Sequence, residues 1–181
     1  GLAPANTSLA DMGSLQSGAK LYFNYCSGCH SLSLMRYSRI AEDLNLTEAQ
    51  VMQNFNFSGI NFGERIPATM NPADGKLWFG AAPPDLSLMA RAKGGDYIYN
   101  YLRTFYLDPK RPAGVNNLML PNTAMPHVLW ELQGLQTAVF ENEEHGGIRQ
   151  VVFRRFEPAV PGKLSPEEYD EFVRDTVNFL D

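Results

Sequence analysis

Apolar positions along this chain recur mostly at intervals of three and four, the spacing that lines one face of an α-helix. Leu15, Ala19, Tyr22 and Cys26 form the first stripe, behind Ser14 as a candidate cap, and predict a helix running to the cysteine. Gly18 within it is either a tolerated surface glycine or a point of close packing. Residues 1–13 ahead of it are small and polar without period and read as an extended arm. Residues 31–40 are mixed, and Thr47 then opens a short helix whose apolar face is Val51, Met52 and Phe55.

Residues 54–77, rich in Asn, Gly, Pro and Phe, read as a long structured loop that either serves docking or merely covers the core. Pro83 and Pro84 block helix upstream, Asp85 is placed as a cap, and helix is expected through Lys93 until Gly94-Gly95 breaks it. Asp96 caps a further segment with Ile98, Tyr101, Leu102 and Phe105 at helical spacing. Prolines at 109, 112, 121 and 126 forbid regular structure across 107–126. Two short β-prone runs, 137–140 and 150–153, flank a polar tip and predict a small hairpin, with His145 solvated there. Ser165-Pro166-Glu167-Glu168 is a capping box with proline at the first helical position, and the stripe Tyr169, Phe172, Val173, Val177 and Leu180 should pack on the first helix. The class is therefore mainly α, with long loops and a small β-hairpin insertion.

Composition narrows this to one ordinary globular domain over residues 1–181, with 44% hydrophobic and 19% charged residues. The 15 glycines and 12 prolines promise much irregular backbone, such as loops that wall a pocket. A net charge of -5 argues against nucleic acid and anionic membrane surfaces as partners and favours a basic one. Glu141, Glu143 and Glu144, or Glu167, Glu168, Asp170 and Glu171, would guide such a partner or simply be a solvated face. No run of about 18 apolar residues is present to span a bilayer.

The chemistry concentrates in Cys26-Ser27-Gly28-Cys29-His30, which uses the only two cysteines of the chain. Two thiols at this spacing take both vinyl groups of one porphyrin as thioethers, and the following imidazole meets the iron. One covalently attached haem c, with His30 as proximal ligand, is expected. A closed zinc site needs four N or S ligands, and only His127 and His145 remain to complete it. A dithiol redox motif belongs before a helix in a βαβ unit, and none surrounds this one. Since covalent haem attachment occurs on the outer side of energy-transducing membranes, the chain reads as exported.

Further blocks extend the pattern: Gly18-Ala19 and Tyr22 before the motif, Pro83-Pro84-Asp85-Leu86-Ser87, Arg91 with Lys93-Gly94-Gly95-Asp96-Tyr97, and Ala124-Met125-Pro126. In this order they resemble the cytochrome c1 family, the haem subunit of the cytochrome bc1 complex, from about residue 14 to 180. The Leu120 to Trp130 run is similar to the bacterial form. The resemblance implies a cytochrome c-like fold and Met125 as second axial ligand, where sequence alone leaves Met119 and, less favoured, His127 open. It implies propionate contacts near Lys93, where the family commonly has Arg, so Arg91 and Tyr97 are co-candidates. It also implies an electron relay from the Rieske iron–sulfur protein to a soluble or membrane-attached cytochrome c, beside cytochrome b, on the periplasmic side of the bacterial inner membrane. Family members continue into a C-terminal transmembrane anchor, and the chain, ending at Asp181, reads as the head without it. With His30 and Met125 both on iron, no position stays open, which favours electron transfer over a peroxidase-like enzyme or a haem-based sensor.

Overall fold

A computed structural model describes all 181 residues, which divide into two compact units: residues 1–103 with 170–181, and residues 104–169. In the first unit, α1 (Met12–Leu21) starts about one turn earlier than the apolar stripe suggests, because Asp11 rather than Ser14 is its cap, the Asp11 Oδ1 accepting from Ser14 N–H. The chain does not stay α-helical to the cysteine. It widens into a π-helical turn, Tyr22–Cys26, so the first cysteine ends a bulged segment.

Strand β1 (Leu32–Arg36), pairing with β2 (Arg65–Ile66), and α2 (Tyr37–Asp43) follow. Neither is visible as a period in the mixed residues 31–40. Thr47 caps α3 (Glu48–Phe55) through a capping box completed by Gln50. The stretch 54–77 is more ordered than a loop: α4 (Pro72–Phe79) begins at the Asn71 cap with proline at its first position and ends at Gly80, φ 81°. Helix α5 (Met89–Lys93) starts well after Asp85, which therefore is not its cap. Gly94, at φ 91°, breaks the chain before α6 (Gly95–Arg103), which already contains Asp96 in its first turn.

The core of this unit gathers around Phe23, whose ring stacks on Phe55 at 4.9 Å and on Tyr37 at 5.8 Å. Helix α8 (Pro166–Leu180) opens on the expected box, Ser165 Oγ accepting from Glu168 N–H and Glu168 Oε1 from Ser165 N–H. Its part from Asp170 onward lies against α1 at Gly18, where an added Cβ would sit 1.9 Å from the Asp175 carbonyl oxygen. Close packing is thus the role of that glycine. The N-terminal arm is pinned: Asp96 accepts from Ala5 N–H at 2.7 Å, and Asn178 grips Ser8 through both its amide nitrogen and its amide oxygen.

In the second unit, β3 (Phe105–Leu107) pairs with β4 (Val115–Asn117), so residues 107–126 contain one regular ladder despite their prolines. A single turn, α7 (Trp130–Gln133), leads into a ribbon of β5 (Gly134–His145) and β6 (Ile148–Pro161). This hairpin is far longer than the two four-residue runs that announce it. Its Gly146-Gly147 turn has positive φ at both glycines, and Phe140 and Phe153 pair across it with rings 6.0 Å apart.

Candidate haem site

The π-helical turn delivers Cys26 into a reversal closed by two backbone bonds, Cys29 N–H and His30 N–H both donating to the Cys26 carbonyl at 3.0 and 2.9 Å. That reversal carries both thiols and the imidazole within one turn of chain. Both cysteines are free and half-buried, and burial pushes the Cys26 thiol up to about 12. The backbone of residues 69–70 reaches across the same turn, Thr69 N–H bonding Ser27 O and Met70 N–H bonding Gly28 O at 2.8 Å. Here lies a structural reason for the long segment before α4.

His30 is buried, and its Nδ1 lies 2.7 Å from the carbonyl oxygen of Pro84. Paired this way Nδ1 carries the proton, so Nε2 presents its lone pair and suits a metal. Burial lowers the basicity of the ring, with the Pro84 bond and the charge of Asp85 opposing. The His30 carbonyl in turn accepts from the Tyr22 hydroxyl at 2.6 Å. Burial holds that phenol well above its usual range.

Asp85 ties the proline strand to the haem-motif strand. Its carboxylate accepts from Ser31 Oγ–H at 2.6 Å, Ser33 N–H at 2.7 Å and Ser87 N–H at 2.9 Å. Partial desolvation works against its ionisation, yet these bonds hold it well below the usual carboxylate range. Ser87 Oγ accepts from Leu34 N–H, and Leu86 N–H bonds Ser31 O, so Pro-Pro-Asp-Leu-Ser is a clamp on the histidine and not a helix start. An open cleft of about 690 Å³ with walls that include Gly28, Cys29, Phe57, Met70 and Trp78 lies on the cysteine side.

Of the propionate candidates, Arg91 and Lys93 are exposed, Tyr97 is half-buried, and Lys93 Nζ stands 5.9 Å over the Tyr97 ring.

Met125 and Met119 both belong to the second unit and are both half-buried. Their loop is scaffolded by two buried asparagines, in a stretch that its prolines mark only as irregular. Asn117 Oδ1 accepts from Met119 N–H and Leu120 N–H, and Asn116 Oδ1 accepts from Asn122 N–H. Arg111 Nη2 donates to the Asn122 carbonyl at 3.0 Å. His127 is buried with its ring flat on Phe105, centroids 4.8 Å apart, and burial lowers it to about 4. His145 is exposed beside Glu143, while Glu141 and Glu143 both hold Arg154, which neutralises part of the expected acidic docking face.

The donor set fits a c-type haem: two free thiols in one turn and a histidine whose Nδ1 is already occupied. Comparison agrees with it. The family model of the Cytochrome C1 family matches residues 5–77 and 65–134. The chain is 48% identical over 180 residues to cytochrome c1 of Allochromatium vinosum, covering 99% of this chain and 73% of that one. It is 40% identical over 171 residues to a protein of Nitrosomonas europaea named ammonia monooxygenase gamma subunit, covering 94% of this chain and 68% of the other. Cytochrome c1 of Rhodospirillum rubrum is 30% identical over 123 residues, 57% of this chain and 45% of its own. With its haem motif, its proline clamp and these matches along nearly its whole length, the chain belongs to the cytochrome C1 family, whose cofactor is a covalently bound c-type haem.

Proposed function

We propose that residues 1–181 form a single cytochrome c-like haem domain that relays one electron at a time within a cytochrome bc1 complex. It takes electrons from the Rieske iron–sulfur protein and gives them to a cytochrome c, with cytochrome b as a further neighbour. The position proposed is the periplasmic side of the inner membrane; no helix of the chain is long and apolar enough to cross a membrane. Cys26 and Cys29 carry the thioethers, His30 and Met125 are the axial ligands, and Arg91, Lys93 and Tyr97 are candidates for propionate contact.

The observation that carries this reading is the 2.7 Å pairing of His30 Nδ1 with Pro84 O beside two free thiols. It leaves one imidazole nitrogen for iron and fixes the ring, as a rigid electron-transfer centre requires. The haem supplies a one-electron iron couple when bound. The protein holds His30 still through the Asp85 clamp and shields it from water.

The haem-loaded chain tests the reading. Acidic acetone should leave the haem on the protein, the oxidised form should show the weak sulfur-to-iron band, and carbon monoxide should not bind the reduced form. The chain alone should reduce a soluble cytochrome c and fail to oxidise quinol. Prompt carbon monoxide binding would favour a peroxidase-like enzyme or a sensor, and sustained quinol turnover would make the chain an enzyme in its own right.

A further inference from the structure

The ribbon of β5 and β6 has two unlike faces. Side chains alternate along each strand and cross-strand partners share a face, so one face carries Ala138 with Phe156, Phe140 with Phe153 and Glu144 with Arg149. Glu141 and Glu143, both held by Arg154, stand on the other. The first face is aromatic and largely uncovered. Phe140, Phe153 and Phe156 form a row with successive ring centroids 6.0 and 4.7 Å apart. Tyr106 meets Phe140 edge-on at 5.7 Å yet leaves it 42% exposed, and Val151, on the same side as Phe153, is 70% exposed. A two-stranded ribbon is marginally stable in water unless a further strand or a packed face supports it. No third strand pairs with β5 or β6, so the support has to come onto the face.

We propose that this face docks on the same face of a second copy of the chain, about a two-fold axis running along the ribbon. Under that rotation the two strands exchange places, so each residue meets the cross-strand partner of its own counterpart. Glu144 then faces Arg149 of the second copy and the reverse, Phe140 faces Phe153, and the small Ala138 leaves room for Phe156. The face is thus complementary to itself in charge and in bulk. The ion pairs of the ribbon involve Arg154 and Arg155, while Glu144 and Arg149, both exposed, stay outside them and are available to the second copy. The chain carries a net charge of -5, but here two copies meet with no like charges opposed. A uniformly basic or acidic partner would instead meet one group of its own sign. Strand segments of this length cover roughly 24 Å by 10 Å. That is well short of the ~800 Å² per partner of a standard interface, so the association is weak and depends on concentration.

Sedimentation equilibrium of the full chain, followed from micromolar to near-millimolar concentration, tests the proposal. Wild type should pass reversibly from monomer to dimer. Glu144→Arg and Arg149→Glu each set like charges face to face twice in a dimer and should weaken association at least about tenfold. Mixed in equal amounts, the two variants should form a dimer again, because each then offers the other the opposite charge. Neither variant has an acid opposite a base within its own ribbon, so the rescue cannot come from a repaired hairpin. Val151→Lys, at an exposed apolar position of the face, should weaken association as well. A wild type that stays monomeric throughout would overturn the proposal and leave the face to a different protein. Single variants that associate as wild type does, or a mixture no more associated than its components, would overturn it too, since the contact would then lie elsewhere or run in another register.

Discussion

His30 Nδ1 lies 2.7 Å from the carbonyl oxygen of Pro84, so whatever fixes Pro84 also fixes the imidazole. The fixing group is the next residue. Asp85 reaches back across 54 positions of sequence to Ser31 and 52 to Ser33, and so fastens the strand that accepts from the histidine to the strand that follows it. Proline suits the accepting position, because its fixed φ removes one of the two rotations that could move its own carbonyl.

Asp85→Ala should cost about 1–3 kcal/mol, the range for losing hydrogen bonds to a charged group at a partly exposed site. Haem should remain attached, since neither thiol is touched. The folded carboxyl of Asp85 titrates below its unfolded value of about 3.9, so its contribution is complete above that pH and fades as pH falls through the lower folded value. The stability gap between wild type and Asp85→Ala, followed by denaturant melts, should therefore be constant from about pH 5 to 7 and narrow below about pH 4. A gap that widens in acid would show that the carboxylate is not the clamp.

Gly18→Ala should separate α1 from α8. The new Cβ would meet the Asp175 carbonyl oxygen at 1.9 Å and Phe179 Cβ at 2.7 Å, and the backbone contact cannot rotate away. Overpacking of this kind costs typically about 1–3 kcal/mol. For a chain of this size each kcal/mol lowers Tm by roughly 2–4 °C. Calorimetry showing an unchanged Tm would mean the helices slide freely at Gly18.

What the sequence made legible is local. The haem run, the helix start at Thr47, the box at Ser165, the break at Gly94 and the stripe of α8 all depend on residues within a few positions of one another, and the last four stand where their patterns predict. Asp85 reads as a cap because an acid after two prolines is a common helix start, while its partners Ser31 and Ser33 lie more than 50 residues away and leave no local trace. Helix α4 did carry a signal, Asn71-Pro72 closed by Gly80, but it is short and its apolar residues Leu77 and Trp78 are exposed, so no stripe betrayed it. The hairpin ran longer than its β-prone cores because cross-strand pairs such as Glu141 with Val152 hold polar residues in register, which no single-strand alternation can reveal.

Asn117 makes the loop around the methionines a matter of side chains and not of secondary structure. It is fully buried, and Asn117→Ala would strand the amides of Met119 and Leu120 without their acceptor. A loss of about 2–4 kcal/mol is expected for two such groups, at 1–3 each with partial relaxation. The more telling readout is optical: the sulfur-to-iron band should weaken or become temperature-sensitive while the haem stays covalently bound. Full retention of a sharp band at all temperatures would show that the asparagine does not hold the ligand loop.

The choice between Met125 and Met119 can be decided by substitution. Both are half-buried in the second unit, and Met119 is the one whose amide Asn117 holds directly, so position alone does not separate them. Met125 is preferred on the family pattern, with Pro126 after it restricting the backbone of the ligand residue. A thioether stabilises ferrous iron, and losing it favours the ferric state. Met125→Leu and Met125→His should therefore keep the haem attached and lower the midpoint potential on the order of a few tenths of a volt, inside the roughly 0.8 V that axial ligands span. Met125→Leu should in addition open the sixth position and let carbon monoxide bind the reduced protein, whereas Met125→His should keep it closed. Met119→Leu should change neither property, because a half-buried methionine that only fills space is replaced by leucine at a cost below about 1.5 kcal/mol. If the potential moves with Met119 and stays with Met125, the ligand is the wrong one of the pair.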